Sequence, residues 1–217
     1  MKSTWKKSRI VTVNTAKTRR ELVIPLPGFA SATGEDYGMI VLCGKKNSGK
    51  STMLLKLLLD ERAFFKRYDR IVIISPTFDT QYSKRWYRIS SKGVQVYSKI
   101  STKLLEHLTA QQAVTDDSML VITDNIGEAL KHVDQTVMST FTSNSRHSRV
   151  TIVALVHRIT HLPTTYRTNV DVWWVYASCT QHELEALYKE CGMIDKKDFI
   201  ALFRKVTSEP FGFFACA

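Results

Sequence analysis

No apolar run in this chain of 217 residues approaches the roughly 18 residues needed to span a bilayer, so a membrane-crossing helix is not expected. The first twenty residues, "MKSTWKKSRIVTVNTAKTRR", lack the apolar core of a secretory signal. They share basic, acid-free composition with organelle transit peptides, but their Ile-Val-Thr-Val alternation reads better as a strand. The four cysteines, Cys43, Cys179, Cys191 and Cys216, form no CxxC pair and have no histidine at metal-ligand spacing. That pattern fits reduced, mostly buried thiols of an intracellular protein. Neither HExxH nor GxSxG occurs, which removes the usual metalloprotease and serine-hydrolase signatures. Internal repeats and low-complexity segments are also missing.

Positive charge is what the chain has in excess. Lys and Arg number 31 against 20 Asp and Glu, a net charge of +11. Seven of those basic residues fall in the first twenty positions, with no acid among them. Such asymmetry suits a polyanionic partner, nucleic acid before a membrane surface; the plainer reading is a solvated face. A hydrophobic fraction of 44% with 24% charged residues is ordinary for a globular protein. The length suffices for one domain with a full core. Residues 1–28 read as a basic arm with strands at "RIVTV" and "ELVIP", and residues 29–217 as the domain.

Within that domain, apolar runs of strand length alternate with helical stretches. "GMIVLC" (38–43), "RIVIIS" (70–75), "GVQVYS" (93–98), "SMLVITD" (118–124), "RVTIVALVH" (149–157) and "VDVWWVYAS" (170–178) read as strands. "KSTMLLKLLLDERAFF", "TKLLEHLTAQQ" and "QHELEALYKECG" read as helices, with another beginning near Ile126, and "FGFFACA" as an edge strand. Continuous apolar strands imply a sheet covered on both faces, and alternation with helices implies parallel βαβ units. The predicted fold class is α/β, an open and mostly parallel sheet with helices on both faces. Ligands in such sheets bind beyond the carboxyl ends of the strands.

The strongest motif lies at such an end. "GKKNSGKST" places Gly44, Lys45, Lys46, Asn47, Ser48, Gly49, Lys50, Ser51 and Thr52 between a strand and a helix, the context that a phosphate-binding loop requires. Glycines let successive backbone N–H groups face phosphate oxygens, and the helix N-terminus adds partial positive charge. Lys50 is expected to reach the β- and γ-phosphates of ATP, and the Ser51 hydroxyl to bind Mg²⁺. Asp124 ends "MLVIT" and matches a second Mg²⁺ ligand; a helix cap is the plainer role. The elements between the loop and Asp124 favour the RecA-like branch, in which an additional strand separates the two. Spacing alone leaves a nucleotide kinase open. His157 and Arg158 end "VTIVALV", a position from which a polar group senses the γ-phosphate. Arg146, Arg149 and Arg167 flank that strand as candidates for a transition-state arginine donated across a subunit boundary, or for DNA contacts.

With these residues together, the chain resembles the FtsK-HerA superfamily, and within it the poxvirus-type genome-packaging ATPases of large DNA viruses, virophages and related membrane-containing viruses. The resemblance runs from about Gly38 to Ala177. It rests on "MIVLCGKKNSGKST", "DRIVIISPTFD", "MLVITDNIGEAL", "SNSRHSRVTIVALVHR" and "LPTTYRTNVD", in that order. It implies a homo-oligomeric ring, hexamer or pentamer, that uses ATP to pump double-stranded DNA into a capsid, with capsid or portal-vertex proteins as further partners. It also implies an intracellular site (host cytoplasm, viral factory or nucleus, or the virion itself) without stable membrane insertion. By the same analogy Arg146 would be the trans-acting finger and His157 would replace the usual glutamine. Asn125 stands where the family carries a second acid, and Glu128 is the further acid after a glycine. Asn cannot accept a proton, but phosphoryl transfer depends mostly on positioning and electrostatics, and an amide can orient water. Glu128 would share a face with Asp124 if a helix starts promptly. Two other readings stay open: a nucleotide-gated DNA-binding or scaffold protein with little hydrolysis, and a small nucleotide kinase.

Overall fold

The computed structural model describes residues 37–59, 64, 67–77, 94–177, 180–192 and 194–216. The basic arm, the strands expected within it and residues 60–63 and 65 of the expected first helix lie outside the described residues, and Phe64 sits in a turn.

Seven strands form one sheet in the order β3-β2-β4-β5-β1-β6-β7. They are β1 (Met39–Cys43), β2 (Arg70–Ile74), β3 (Val94–Tyr97), β4 (Met119–Asp124), β5 (Val150–Val156), β6 (Val172–Tyr176) and β7 (Phe213–Cys216). Six of them run parallel, and β7 pairs antiparallel with β6 at one edge. The helices are α1 (Lys50–Leu59), α2 (Thr102–Ala113), α3 (Gln135–Ser143), the single turn α4 (Thr164–Arg167), α5 (Gln181–Cys191) and α6 (Lys196–Val206). None of the described helices is long and apolar enough to cross a membrane.

The continuous apolar strands are explained by which face each residue serves. In β1, Met39, Val41 and Cys43 join one buried cluster, while Ile40 and Leu42 join the other. The first cluster is closed by Leu105 and Leu108 of α2, Met138 of α3, Leu187 of α5 and Phe199 and Phe203 of α6. The second is closed by Leu54 and Leu58 of α1 with Phe64 and Tyr68. Both faces of the central strands are therefore buried, as the strand pattern predicts, while the edge strand β3 stays partly exposed. Helix starts follow local chemistry: Ser101 accepts from Leu104 N at 3.2 Å, and Asp134 from Thr136 N at 2.8 Å.

One expectation is corrected, and one helix is added. The helix expected near Ile126 is absent. Asn125 takes left-handed backbone (φ 56), a buried turn through Gly127 follows, a 3₁₀ turn spans Ala129–His132, and α3 starts only at Gln135. A left-handed residue cannot continue into an α-helix, and Asp134 supplies the cap that starts one later. The helix α6 was not anticipated at all. Its apolar residues Phe199 and Phe203, four apart, pack under β7, which is the expected edge strand.

Candidate nucleotide-binding site

The loop between β1 and α1 is built for close backbone approach. Gly44 N donates to Val156 O at 3.0 Å, fixing the loop's start against β5. A Cβ on Gly44 would sit 2.7 Å from Ser48 Oγ and 2.9 Å from Tyr176 Cβ. Asn47 (φ 65) and Gly49 (φ 102) both take left-handed backbone, which glycine and asparagine tolerate best. The buried Ser48 hydroxyl has no partner, so the curl carries an unused polar group as well as backbone donors. Met53 N then donates to Gly49 O at 2.8 Å as α1 begins.

Lys50 lies buried under this loop. Its ammonium donates to the carbonyls of Gly44 at 2.5 Å and Lys45 at 2.9 Å. Burial pushes the Lys50 pKa below its ordinary value, while the charges of Cys43 and Asp124 act in the opposite direction. A cation already desolvated gains strongly from a polyphosphate.

A cleft of about 730 Å³ opens above the loop. Lys46 through Thr52 form its floor, and Thr77, Asp124, Asn125, His157 and Phe211 complete its walls. Ser51 and Asp124, the two expected metal ligands, therefore face one space. Among the described residues no group of three or more His, Cys, Asp or Glu could hold a metal unaided. A divalent ion here would share Ser51 and Asp124 with phosphate oxygens, the usual arrangement for Mg²⁺. His157 directly follows β5, which lies between β1 and β4. Its Nδ1 lies 3.2 Å from Gly44 O. Because a carbonyl only accepts, Nδ1 carries the proton and Nε2 is the nitrogen left for the cleft.

The other expected residues are not brought together. Lys45 belongs to the loop but does not line the cleft. Glu128 lies outside it, 64% exposed, accepting from Lys131 Nζ at 2.9 Å and lying 3.5 Å from His161 Nε2. The hydrogen bond from Lys131 lowers its carboxyl pKa, the reverse of what a general base at neutral pH needs. The shared face expected with Asp124 fails because no helix starts at Ile126. Arg146 lies at the opposite edge of the sheet, before β5, and is ion-paired with Asp171, which precedes β6. Arg149 donates to Asp116 O at 2.9 Å, and Arg167 Nε lies 3.5 Å from Glu190. Sequence reasoning missed Thr77 and Phe211. Thr77 follows the carboxyl end of β2, a position the sheet rule points to. Phe211 depends on the antiparallel pairing of β7 and has no local signal.

Solved structures with this fold include the genome packaging NTPase B204 of Sulfolobus turreted icosahedral virus 2 in complex with AMP. It aligns with a TM-score of 0.59 at 18% identity, over 75% of this chain and 86% of its own. The DNA-packaging ATPase B204 of Sulfolobus turreted icosahedral virus gives 0.61 at 17% identity, over 82% and 91%. ATPases 2 and 3 of EssC from Geobacillus thermodenitrificans give 0.50 at 14% identity, over 72% and 34%. At these identities the likeness establishes the fold. No curated protein sequence matches the chain. The family profile described as Poxvirus A32 protein matches residues 30–209, nearly all of the domain and every residue of the cleft except Phe211, and the chain belongs to that family.

Proposed function

We propose that this protein is an ATPase motor that translocates double-stranded DNA, packaging a viral genome into a capsid. It would work as a homo-oligomeric ring, hexamer or pentamer, inside the infected cell. The supporting observation is that Lys50, Ser51, Asp124 and His157 line or underlie one cleft at the carboxyl edge of the sheet, with β5 inserted between β1 and β4. The solved B204 proteins with this fold are described as packaging enzymes.

In this reading the loop amides and Lys50 hold the β- and γ-phosphates of ATP. Ser51 and Asp124 would supply protein oxygens to a bound Mg²⁺, whose charge would neutralise charge developing on the phosphates. The Asn125 amide orients water, and His157 Nε2 senses the γ-phosphate. Arg146, remote from its own cleft, serves a neighbouring subunit, with Asp171 as its resting partner. The basic arm contacts DNA, or a capsid or portal-vertex protein.

Phosphate release by the wild type, Lys50→Ala and Asn125→Glu, each with and without DNA, tests this. The wild type is expected to release phosphate, and Lys50→Ala about 10²–10³-fold less, the usual cost of a lost electrostatic stabiliser. A wild type no faster than Lys50→Ala under every condition would refute the motor. One observation favours a second reading, a nucleotide-gated DNA-binding or scaffold protein with little hydrolysis. Among the described residues Asp124 is the one carboxylate lining the cleft, since Glu128 faces away. Tight ATP binding without phosphate release would select it.

A further inference from the structure

We propose that Phe211 is the platform on which the base of the bound nucleotide stacks. This rests on the reading of the cleft as a nucleoside triphosphate site.

Phe211 is an apolar ring left 67% exposed on the wall of a polar cleft. The aromatic residues that follow it are used differently. Phe213 packs against Trp174 and Tyr176, with centroids 5.9 and 5.6 Å apart, and Phe214 packs against Phe199 at 5.2 Å. The turn into β7 therefore sorts its rings, sending two to the sheet and holding one at the cleft. The backbone is strained to do so: Phe211 has φ 63, within a turn closed by Gly212 N donating to Glu209 O at 2.9 Å. A bulky residue in that region is uncommon, and such outliers concentrate where ligands are held. The ring also lies close over the loop: a Cβ on Gly49 would be 3.3 Å from Phe211 Cδ1, near enough that the ring would have to shift slightly.

Sheet order gives the ligand its direction. β1 carries the loop. On one side of it lie β5 with His157 and β4 with Asp124; on the other lie β6 and then β7, whose entry turn carries Phe211. A triphosphate with its γ-phosphate toward Asp124 and His157 runs its nucleoside end toward β6 and β7. There it meets a planar apolar surface. Stacking reads the face of a base and tolerates any purine, so Phe211 adds affinity for purine nucleotides without choosing between adenine and guanine.

Equilibrium binding to the full chain tests this with three ligands: a non-hydrolysable ATP analogue, the matching GTP analogue and inorganic triphosphate, which has no base. Phe211→Ala is expected to weaken both nucleotide analogues alike, by roughly ten-fold or more, and to leave triphosphate unchanged. Phe211→Trp is expected to keep wild-type affinity, and Phe211→Leu, apolar but without a ring, to behave like Phe211→Ala. Equal weakening of triphosphate, full retention of ATP affinity by Phe211→Ala, or loss of only one nucleotide would overturn the assignment. A wild type that binds neither nucleotide nor triphosphate would overturn the nucleotide site itself, and this inference with it.

Discussion

In the proposed reading, Lys50 would make nucleotide binding a proton-linked event. Its pKa is lowered by burial, and phosphate charge at hydrogen-bond distance would raise it again. Between those two values the complex holds more protons than the free protein, so binding takes protons up and affinity falls as pH rises through the lowered value. Titration calorimetry in two alkaline buffers of different ionisation heat is expected to give different apparent enthalpies; identical enthalpies would refute the linkage. Asn125 invites a second measurement. At φ 56 an Asn is tolerated where a longer side chain is strained, so the amide suits the backbone as well as any chemistry. Asn125→Glu is expected to lower stability by about 1 kcal/mol and Asn125→Gly to leave it nearly unchanged, read from urea midpoints. If the glutamate variant proves as stable as wild type, the backbone account of this asparagine fails.

At the scale of elements, the piece that carries His157 is pinned from α5. Glu183 is buried, accepting from Ile159 N at 2.7 Å and Thr160 Oγ1 at 2.6 Å. Its backbone partners lie just beyond His157 and Arg158, so it fixes where β5 hands over to the next turn. Glu183→Ala strands a buried donor and is expected to cost about 2–4 kcal/mol, measured by chemical denaturation. Loss of under about 0.5 kcal/mol would show that the carboxylate does not hold this turn. Much of this level was legible beforehand. The strands announce themselves because both faces are buried, and the phosphate loop because its chemistry sits within nine consecutive residues. What stayed hidden depends on contacts between distant segments. Glu183 meets Ile159 through packing of α5, Arg146 meets Asp171 across the amino ends of β5 and β6, and Phe211 meets Gly49 only because β7 turns back along β6. The missing helix at Ile126 had a local cause, the left-handed Asn125, that apolar periodicity does not register.

At the scale of the whole assembly, separation of Arg146 from its own cleft makes a mixing experiment decisive. Lys50→Ala subunits keep the arginine and Arg146→Ala subunits keep the loop, and each is expected to release little phosphate alone. Mixed together they are expected to recover part of the DNA-stimulated phosphate release, because a finger donated between subunits can meet an intact loop. No recovery in demonstrably mixed rings would place the arginine elsewhere. Deleting residues 2–20 is expected to flatten the salt dependence of DNA binding; an unchanged slope would move the DNA contact to the domain.

The pairing of β1 has a consequence for how the protein comes into being. Its two neighbours are β5, with Met39 opposite Ile152, and β6, with Ile40 opposite Val172, both far downstream. The strand that carries the phosphate loop thus has no sheet partner until most of the domain has left the ribosome. Closing such long loops is slow, and "MIVLC" is a fully apolar edge during the wait. Yield of native protein should therefore be sensitive to synthesis rate and to chaperones, more than its ordinary composition suggests.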